Sequence, residues 1–170
     1  MACMEPKNKY YRHAHISERK FRQLVHYFTL DLSAADVAQL TNLTRKTANT
    51  IFLKIRQRLA EECDRSSSLP ASELQLVMED YLRRGASEAN HAKGKGELRA
   101  TQRLMKSTPG LASPAEMEDF RHFARKRLQK FYGVSGHTLY LHLKECEWRY
   151  NMRHEDLNAE LLKLLRAHPL

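Results

Sequence analysis

The sequence lacks the features that mark membrane proteins, disulfide-rich secreted proteins and zinc-binding proteins. No apolar run approaches the roughly 18 residues that a membrane helix needs, and the N-terminal residues lack the apolar stretch of a signal peptide. The three cysteines, Cys3, Cys63 and Cys146, lie far apart and form no C-x-x-C pair, which favours reduced thiols over disulfides or a zinc site. These absences predict a cytoplasmic protein with no membrane partner and no bound metal.

Positive charge is concentrated towards the N-terminus. Residues 1–60 contain 11 Lys or Arg and 4 Asp or Glu, whereas residues 61–170 contain 18 and 16. A local excess of positive charge attracts polyanions, because binding releases their counterions. Nucleic acid is therefore the first partner to consider, although charge alone does not distinguish DNA from RNA or from an acidic membrane.

The order of helix signals predicts a mainly α protein in three segments. Residues 1–65 form a three-helix bundle of the helix-turn-helix type, whose helices begin after Ser17, Ser33 and Thr44. Residues 66–112 form an irregular or weakly structured linker, within which residues 73–82 fit a strand and a helix equally well. Residues 113–170 form a C-terminal helical block, which opens with a capping box at Ser113, Pro114 and Glu116.

The spacing within residues 33–59 is typical of a helix-turn-helix. Ala38 is small enough to sit where two helices cross closely, and Asn42 tolerates the left-handed backbone that the turn requires. Leu43 fills the corner, while Ala48 and Ile51 begin the inward face of the second helix. Each position that the motif needs is occupied by a suitable residue type.

With that face turned inward, the first turns of the second helix present polar side chains to the outside. Arg45, Lys46, Asn49 and Thr50 are placed to read base edges, since Arg pairs with guanine and Asn with adenine. Thr44, Thr47 and Lys54 are placed to contact phosphates. The alternative is that these residues form only the solvated face of a helical bundle. The pattern predicts binding to double-stranded DNA.

Other polar groups admit two interpretations each. His13 and His15 suit a basic arm better than a metal site, because no acidic or thiol partner is near them in sequence. A basic stripe, consisting of Arg121, Arg125, Lys126, Arg127 and Lys130, is equally compatible with a second DNA contact and with a solvent-facing side of a helix. The acidic residues Glu116, Glu118 and Asp119 fit the start of a helix as well as a metal site.

Two long stretches resemble bacterial insertion-sequence transposases of the ISXO-like group. Residues 10–63, which begin YYRHAHISERK, are similar to the N-terminal DNA-binding region of these proteins, and residues 120–166, which begin FRHFARKRLQKFYG, are similar to their C-terminal end. The resemblance implies a catalytic domain of the RNase H type between the two ends, in which three acidic residues hold two divalent metal ions.

The resemblance places the third catalytic acid at Glu118, in the sequence Glu118-Asp119-Phe120-Arg121. Alignment of a family tyrosine with Tyr81 puts Met78 where the first acid belongs, and no residue matches the second acid. Only 37 residues separate Asp80 from Glu118, while each β-α-β unit takes roughly 30. The resemblance thus implies an internally deleted transposase whose catalytic core is incomplete.

These observations lead to three hypotheses. The preferred one is a transposase-derived protein that binds the ends of an insertion element and does not catalyse strand transfer. It would act alone, as a homodimer or beside an intact transposase, and would need no cofactor. The second is an active metal-dependent transposase with an active site built on Asp80, Glu116 and Glu118, for which Mg²⁺ would be the cofactor. The third is a separate helix-turn-helix transcription regulator.

Overall fold

The computed structural model describes residues 8–66, 69–85, 112–131 and 136–170. The described residues form seven helices and no strand, so the predicted mainly α fold is confirmed. The helices are α1 (Glu18–Thr29), α2 (Ala34–Thr41), α3 (Arg45–Ser66), α4 (Ala71–Gly85), α5 (Pro114–Leu128), α6 (Gly136–Asn151) and α7 (Leu157–Ala167). None of the helices in these ranges combines the length and apolarity needed to cross a bilayer.

Helices α1, α2, α3 and α5 begin where the sequence predicts them to begin. The Ser17 hydroxyl accepts a hydrogen bond from the backbone N–H of Lys20 at the start of α1, and Ser33 does the same for Asp36 in α2. At the start of α5, Ser113 and Glu116 form a reciprocal capping box. These bonds satisfy backbone N–H groups that a helix leaves without a partner in its first turn.

The chain divides into two compact units. Unit 1 consists of Met1–Arg58 and Met152–Leu170, and unit 2 consists of Leu59–Asn151. This division differs from the predicted boundaries at 65 and 112, because α3 continues through Arg58 into unit 2 and α7 joins the N-terminal residues. The predicted C-terminal block therefore contributes helices to both units.

The core of unit 1 is built from helices at both ends of the chain. Helix α1 buries Phe21, Leu24, Val25 and Phe28, and helix α2 packs against it. The rings of Phe28 and of Phe52 in α3 meet edge to face, with their centroids 4.9 Å apart. Helix α7 also packs against α1 and buries Leu161 and Leu165 completely. Apolar residues from both sequence segments are thus removed from water together.

Residues 168–170 hold the segment that precedes α1 through backbone hydrogen bonds. The N–H of Arg12 donates to the carbonyl of Leu170 at 3.0 Å, and the N–H of Leu170 donates to the carbonyl of Tyr10 at 2.9 Å. The Nη2 atom of Arg58 donates to the carbonyl of Pro169 at 3.0 Å. These contacts tie α3 and residues 10–12 to the segment that follows α7.

The core of unit 2 joins α4, α5 and α6. Leu74, Val77 and Met78 of α4 are buried with apolar residues of the other two helices, including Phe120 and Tyr150. Their spacing is helical, whereas Leu76, which would lie on the same face as Leu74 in a strand, is 46% exposed. Residues 71–85 are therefore helical, which corrects the expectation of an irregular middle segment for that part. Residues 86–111 of the predicted linker lie outside the described residues.

Helix α6 is buried on all sides from Leu139 to Tyr150. Its charged residues are paired: Glu145 contacts Arg149 at 2.8 Å and Arg127 of α5 at 3.1 Å. Lys144 Nζ lies 2.9 Å from the carboxylates of both Asp64 and Glu147. A charge that is removed from water without a partner is strongly destabilising. The ion pairs therefore offset part of the free-energy cost of burying the charged residues of α6.

Candidate nucleic-acid interface

The corner between α2 and α3 has the backbone conformation that its sequence predicts. Asn42, which ends α2, has φ 52° and ψ 47°, in the left-handed region. The next N–H, that of Leu43, donates to the carbonyl of Ala38 at 2.9 Å and closes the end of α2. Ala38, predicted to lie where the two helices cross, is buried, and so is Ala48, predicted to face inward from the second helix.

The first turn of α3 is fixed by two threonines. The Thr44 hydroxyl accepts a hydrogen bond from the N–H of Thr47 at 3.1 Å, and the two hydroxyl oxygens lie 2.8 Å apart. Thr44 is exposed and Thr47 is half-buried. These two residues therefore organise the start of the helix, and the one hydroxyl hydrogen that is not used between them can donate a bond outwards.

The predicted base-reading residues all lie at the exposed N-terminal part of α3. Arg45, Lys46, Asn49 and Thr50 are exposed, and their spacing places them on one side of the helix. In the described part of the chain, Arg45 and Lys46 form no ion pair. The Thr50 hydroxyl donates to the carbonyl of Lys46 at 2.9 Å, which leaves its oxygen to accept a further bond.

Lys54 is held beside an aromatic ring one turn farther along α3. Its Nζ atom lies 4.6 Å from the centre of the Tyr11 ring, a cation-π distance, and its side chain is half-buried. Tyr11 belongs to the segment that hydrogen-bonds to residues 168–170. No local sequence pattern identifies Tyr11, because its contact with Lys54 spans 43 positions of sequence.

The balance of basic and acidic residues differs between the two structural units, as it does between the two parts of the sequence. The described residues of unit 1 contain 13 Lys or Arg and 6 Asp or Glu, whereas those of unit 2 contain 10 and 11. The unit that contains the α2–α3 corner is thus strongly cationic, and the other is close to neutral. This distribution favours unit 1 as the surface that attracts a polyanion.

The basic stripe on α5 has a role that neither sequence interpretation included. Arg121 lies 3.0 Å from Glu73, Arg125 lies 2.9 Å from Asp80, and Arg127 pairs with Glu145. Glu73 and Asp80 are on α4, while Glu145 is on α6, so these guanidinium groups connect the three helices of unit 2. Lys126 and Lys130 are exposed.

The acidic residues considered for catalysis are engaged with neighbouring groups. Glu118 is on α5, with its side chain 63% exposed and 3.2 Å from Arg121. The carboxylate of Asp80 contacts Arg84 at 3.2 Å as well as Arg125. The carboxylate of Glu116 accepts bonds from the N–H and the hydroxyl of Ser113. Across residues 8–66, 69–85, 112–131 and 136–170, no three His, Cys, Asp or Glu side chains are grouped as a metal site requires.

The two cysteines of unit 2 are free and buried. Burial is the main reason that the pKa of the Cys63 thiol is raised well above its usual value, and burial raises the pKa of Cys146 to about 12. Since the thiolate is the reactive form, neither thiol has the electrostatic environment of a nucleophile. Cys3 lies outside the described residues.

Comparison with known proteins supports a relationship with transposases in general. The chain is 40% identical over 47 residues to a protein of Haemophilus influenzae named as an uncharacterized transposase-like protein. The matched segment is 28% of this chain and spans 38% of the length of that relative. No protein-family model and no solved structure matches the chain.

Proposed function

We propose that this chain is a transposase-derived DNA-binding protein that recognises the ends of an insertion element. The observation that carries the proposal is the left-handed corner at Asn42 followed by the exposed cationic start of α3. A turn of this kind leaves the N-terminal end of the second helix exposed, so that this end can enter a major groove. The charge of unit 1 supports the same partner, because duplex DNA is a dense polyanion.

In this proposal, the first turns of α3 supply sequence preference. Arg45 donates two hydrogen bonds to a guanine, Asn49 pairs with an adenine, and Lys46 and Thr50 contact neighbouring base edges. Thr44, Thr47 and Lys54 contact phosphates and fix the orientation of the helix. The ring of Tyr11 restricts the Lys54 ammonium, which reduces the entropy lost when Lys54 contacts a phosphate.

The lineage that we propose is an ISXO-like transposase without its catalytic core. The general similarity to a transposase-like protein supports this lineage broadly, and the resemblance of residues 10–63 and 120–166 gives the narrower assignment. The described acids do not fit a two-metal centre: Glu118 and Asp80 are ion-paired with arginines, and Glu116 caps a helix. We therefore propose binding without strand transfer, alongside or in competition with an intact transposase.

The test is a titration of the purified full chain with fluorescently labelled duplexes. One duplex carries the terminal repeats of an intact ISXO-like element, and the other has the same composition in shuffled order. We expect the terminal-repeat duplex to bind at least about 10³-fold more tightly, the lower end of the range for specific DNA-binding proteins. Equal affinity for the two duplexes would contradict the proposal.

Variants of α3 connect that result to the proposed residues. Arg45→Ala and Asn49→Ala should each cost about 1 to 3 kcal/mol of binding to the terminal repeat and relax the preference at one base position. Lys126→Ala, which removes an exposed charge from unit 2, is the control and should leave the preference unchanged.

Two other outcomes would favour the alternative hypotheses. Strand cleavage in the presence of Mg²⁺ or Mn²⁺ would indicate an active transposase, and preference for a promoter over the terminal repeats would indicate a transcription regulator.

A further inference from the structure

An open cleft lies between α1 and α7 in unit 1. Its volume is about 570 Å³, and α1 contributes most of its lining. The basic side chains in it are Arg19, Arg22 and His26, whose spacing of three and four residues puts them on one face of α1. None of them belongs to the residues considered for DNA contact from sequence, although that spacing was a signal that could have identified them.

The two guanidinium groups of the cleft are not neutralised by the protein. Arg19 and Arg22 are exposed and form no ion pair in the part of the chain that the structure describes. The cleft also contains Glu18, but its carboxylate lies 3.1 Å from the Lys9 ammonium. The cleft therefore keeps two positive charges that no described carboxylate contacts, in contrast to unit 2, where Arg121, Arg125 and Arg127 are all paired.

The wall opposite these cations contains an amide with an unsatisfied oxygen. Asn158, in the first turn of α7, lines the cleft, and its Oδ1 atom is buried without a hydrogen-bond partner in the described structure. A buried acceptor without a donor costs about 1 to 3 kcal/mol. The α7 side of the cleft therefore also presents a polar side chain, opposite the basic residues of α1.

We propose that this cleft binds the phosphodiester backbone of the DNA outside the bases that α3 reads. The inference rests on the proposed function and adds a second contact surface to it. From residue 19 to residue 26, α1 rises about 10 Å, which is the length of about three base-pair steps at about 3.4 Å of duplex axis each. Contacts to phosphates alone strengthen binding to every sequence equally, so the cleft supplies affinity and α3 supplies preference.

The experiment compares the full chain with the double variant Arg19→Gln/Arg22→Gln. Binding to the terminal-repeat duplex and to the shuffled duplex is measured over a range of salt concentrations. Loss of two phosphate contacts should reduce the slope of log Kd against log salt by about 2. Affinity for both duplexes should fall by the same factor, so that the ratio of the two Kd values stays unchanged.

The matched control is Arg65→Gln/Arg83→Gln, which removes two exposed positive charges from unit 2 outside the basic stripe. If the cleft variant has the same salt slope as this control, the cleft inference is overturned, whether or not the chain prefers the terminal repeat. A second outcome is that the cleft variant has a smaller salt slope than the control, while the unmodified chain binds both duplexes equally. In that case the cleft contact is supported and the proposed recognition of element ends is contradicted.

A further titration with poly-glutamate tests an acidic protein segment as the occupant. If poly-glutamate binds the unmodified chain more tightly than the cleft variant, while both have equal salt slopes on DNA, the cleft takes acidic peptides and the DNA proposal is overturned. Binding of poly-glutamate that is equal for both proteins, together with the slope loss on DNA, supports the backbone contact.

Discussion

At the residue scale, Asn42 shows how one side chain determines the direction of a helix. Its left-handed backbone turns the chain between α2 and α3, and most residues other than glycine and asparagine are disfavoured there. The short amide side chain makes the conformation accessible, so the sequence alone was sufficient to predict it. The direction in which α3 leaves α2 therefore depends in part on this residue.

Substitution of Asn42 gives a direct test of that dependence. Asn42→Gly should leave the free energy of unfolding unchanged within about 1 kcal/mol, because glycine adopts positive φ without steric cost. Asn42→Val should lower it by about 1 to 2 kcal/mol, since a β-branched side chain is strongly disfavoured in that region. Urea unfolding followed by circular dichroism measures both. Equal stability of the two variants would contradict the conformation.

Two carboxylates of unit 2 form similar ion pairs in different surroundings. Glu118 is mostly exposed, whereas Glu145 is 2% exposed and lies between Arg127 and Arg149. Exposed pairs contribute about 0 to 1 kcal/mol, while removal of one partner of a buried pair leaves an uncompensated charge. Burial, more than the distance between the charges, therefore decides the stability contribution.

From this difference we expect Glu118→Gln to change the free energy of unfolding by less than about 0.5 kcal/mol. Glu145→Gln should lower the free energy of unfolding by about 3 to 5 kcal/mol. The measurement is urea unfolding of the full chain. A large loss of stability for Glu118→Gln would show that this acid has a role beyond its surface pair with Arg121. A small loss for Glu145→Gln would contradict the burial of its pairs.

At the element scale, the positions of the helices were largely predictable, and their partners were not. Caps such as Ser17, Ser33 and Ser113 act within one turn, so their hydrogen bonds are encoded in adjacent residues. The packing of α7 on α1 joins residues more than 130 positions apart, and no local pattern identifies the partner of an apolar face. Residues 113–170 were consequently assigned to a single block.

Helix α6 illustrates a second limit of sequence reasoning. Charged side chains are rarely buried unless they are paired, and the structure buries Lys144, Glu145, Glu147 and Arg149 in ion pairs. Two of their partners, Asp64 and Arg127, come from other helices. The α3 residues proposed to contact DNA were selected from spacing alone, and whether they bind it stays a prediction.

The membership of α7 in unit 1 can be tested with a single core substitution. Leu165→Ala removes a completely buried side chain and should lower the free energy of unfolding by about 2 to 5 kcal/mol. The control is Lys163→Ala, whose side chain is 77% exposed and which should change stability by less than about 0.5 kcal/mol. If both variants unfold alike, α7 does not contribute to the core.

At the scale of the whole molecule, unit 2 contains several buried groups that hold their protons more tightly when folded. Burial raises the pKa of Cys63 and Cys146, and it is the main cause that raises the pKa of Tyr140 to about 12. For Lys144, burial opposes the charge, but Glu147 and hydrogen bonds with Asp64 and Glu147 outweigh it and raise the pKa. All four groups act in the same direction on stability.

We therefore expect stability to decrease in alkaline solution. Above about pH 9, where an exposed thiol begins to ionise, the unfolded chain loses protons that the folded chain retains, so the free energy of unfolding falls. The decrease should be about 1.4 kcal/mol per pH unit for each thiol, and Tyr140 and Lys144 add to it above about pH 10.

Urea unfolding between pH 7 and 11 measures this dependence. Cys63→Ala and Cys146→Ala should each lower stability at pH 7, because they remove buried atoms, yet each should make the decline above about pH 9 shallower. The slope with pH therefore separates the titration of the thiol from the loss of packing. An unchanged slope in both variants would contradict the proposed contribution of the thiols.

The backbone pairing between residues 10–12 and Leu170 has a consequence for the gene. An in-frame deletion confined to codons 59–151 leaves both parts of unit 1 encoded, because they lie on either side of it. A frameshift or a stop codon in the same interval instead removes residues 152–170, and with them α7 and the hydrogen bonds to Tyr10, Arg12 and Arg58. For unit 1, the preservation of reading frame matters more than the amount of coding sequence lost.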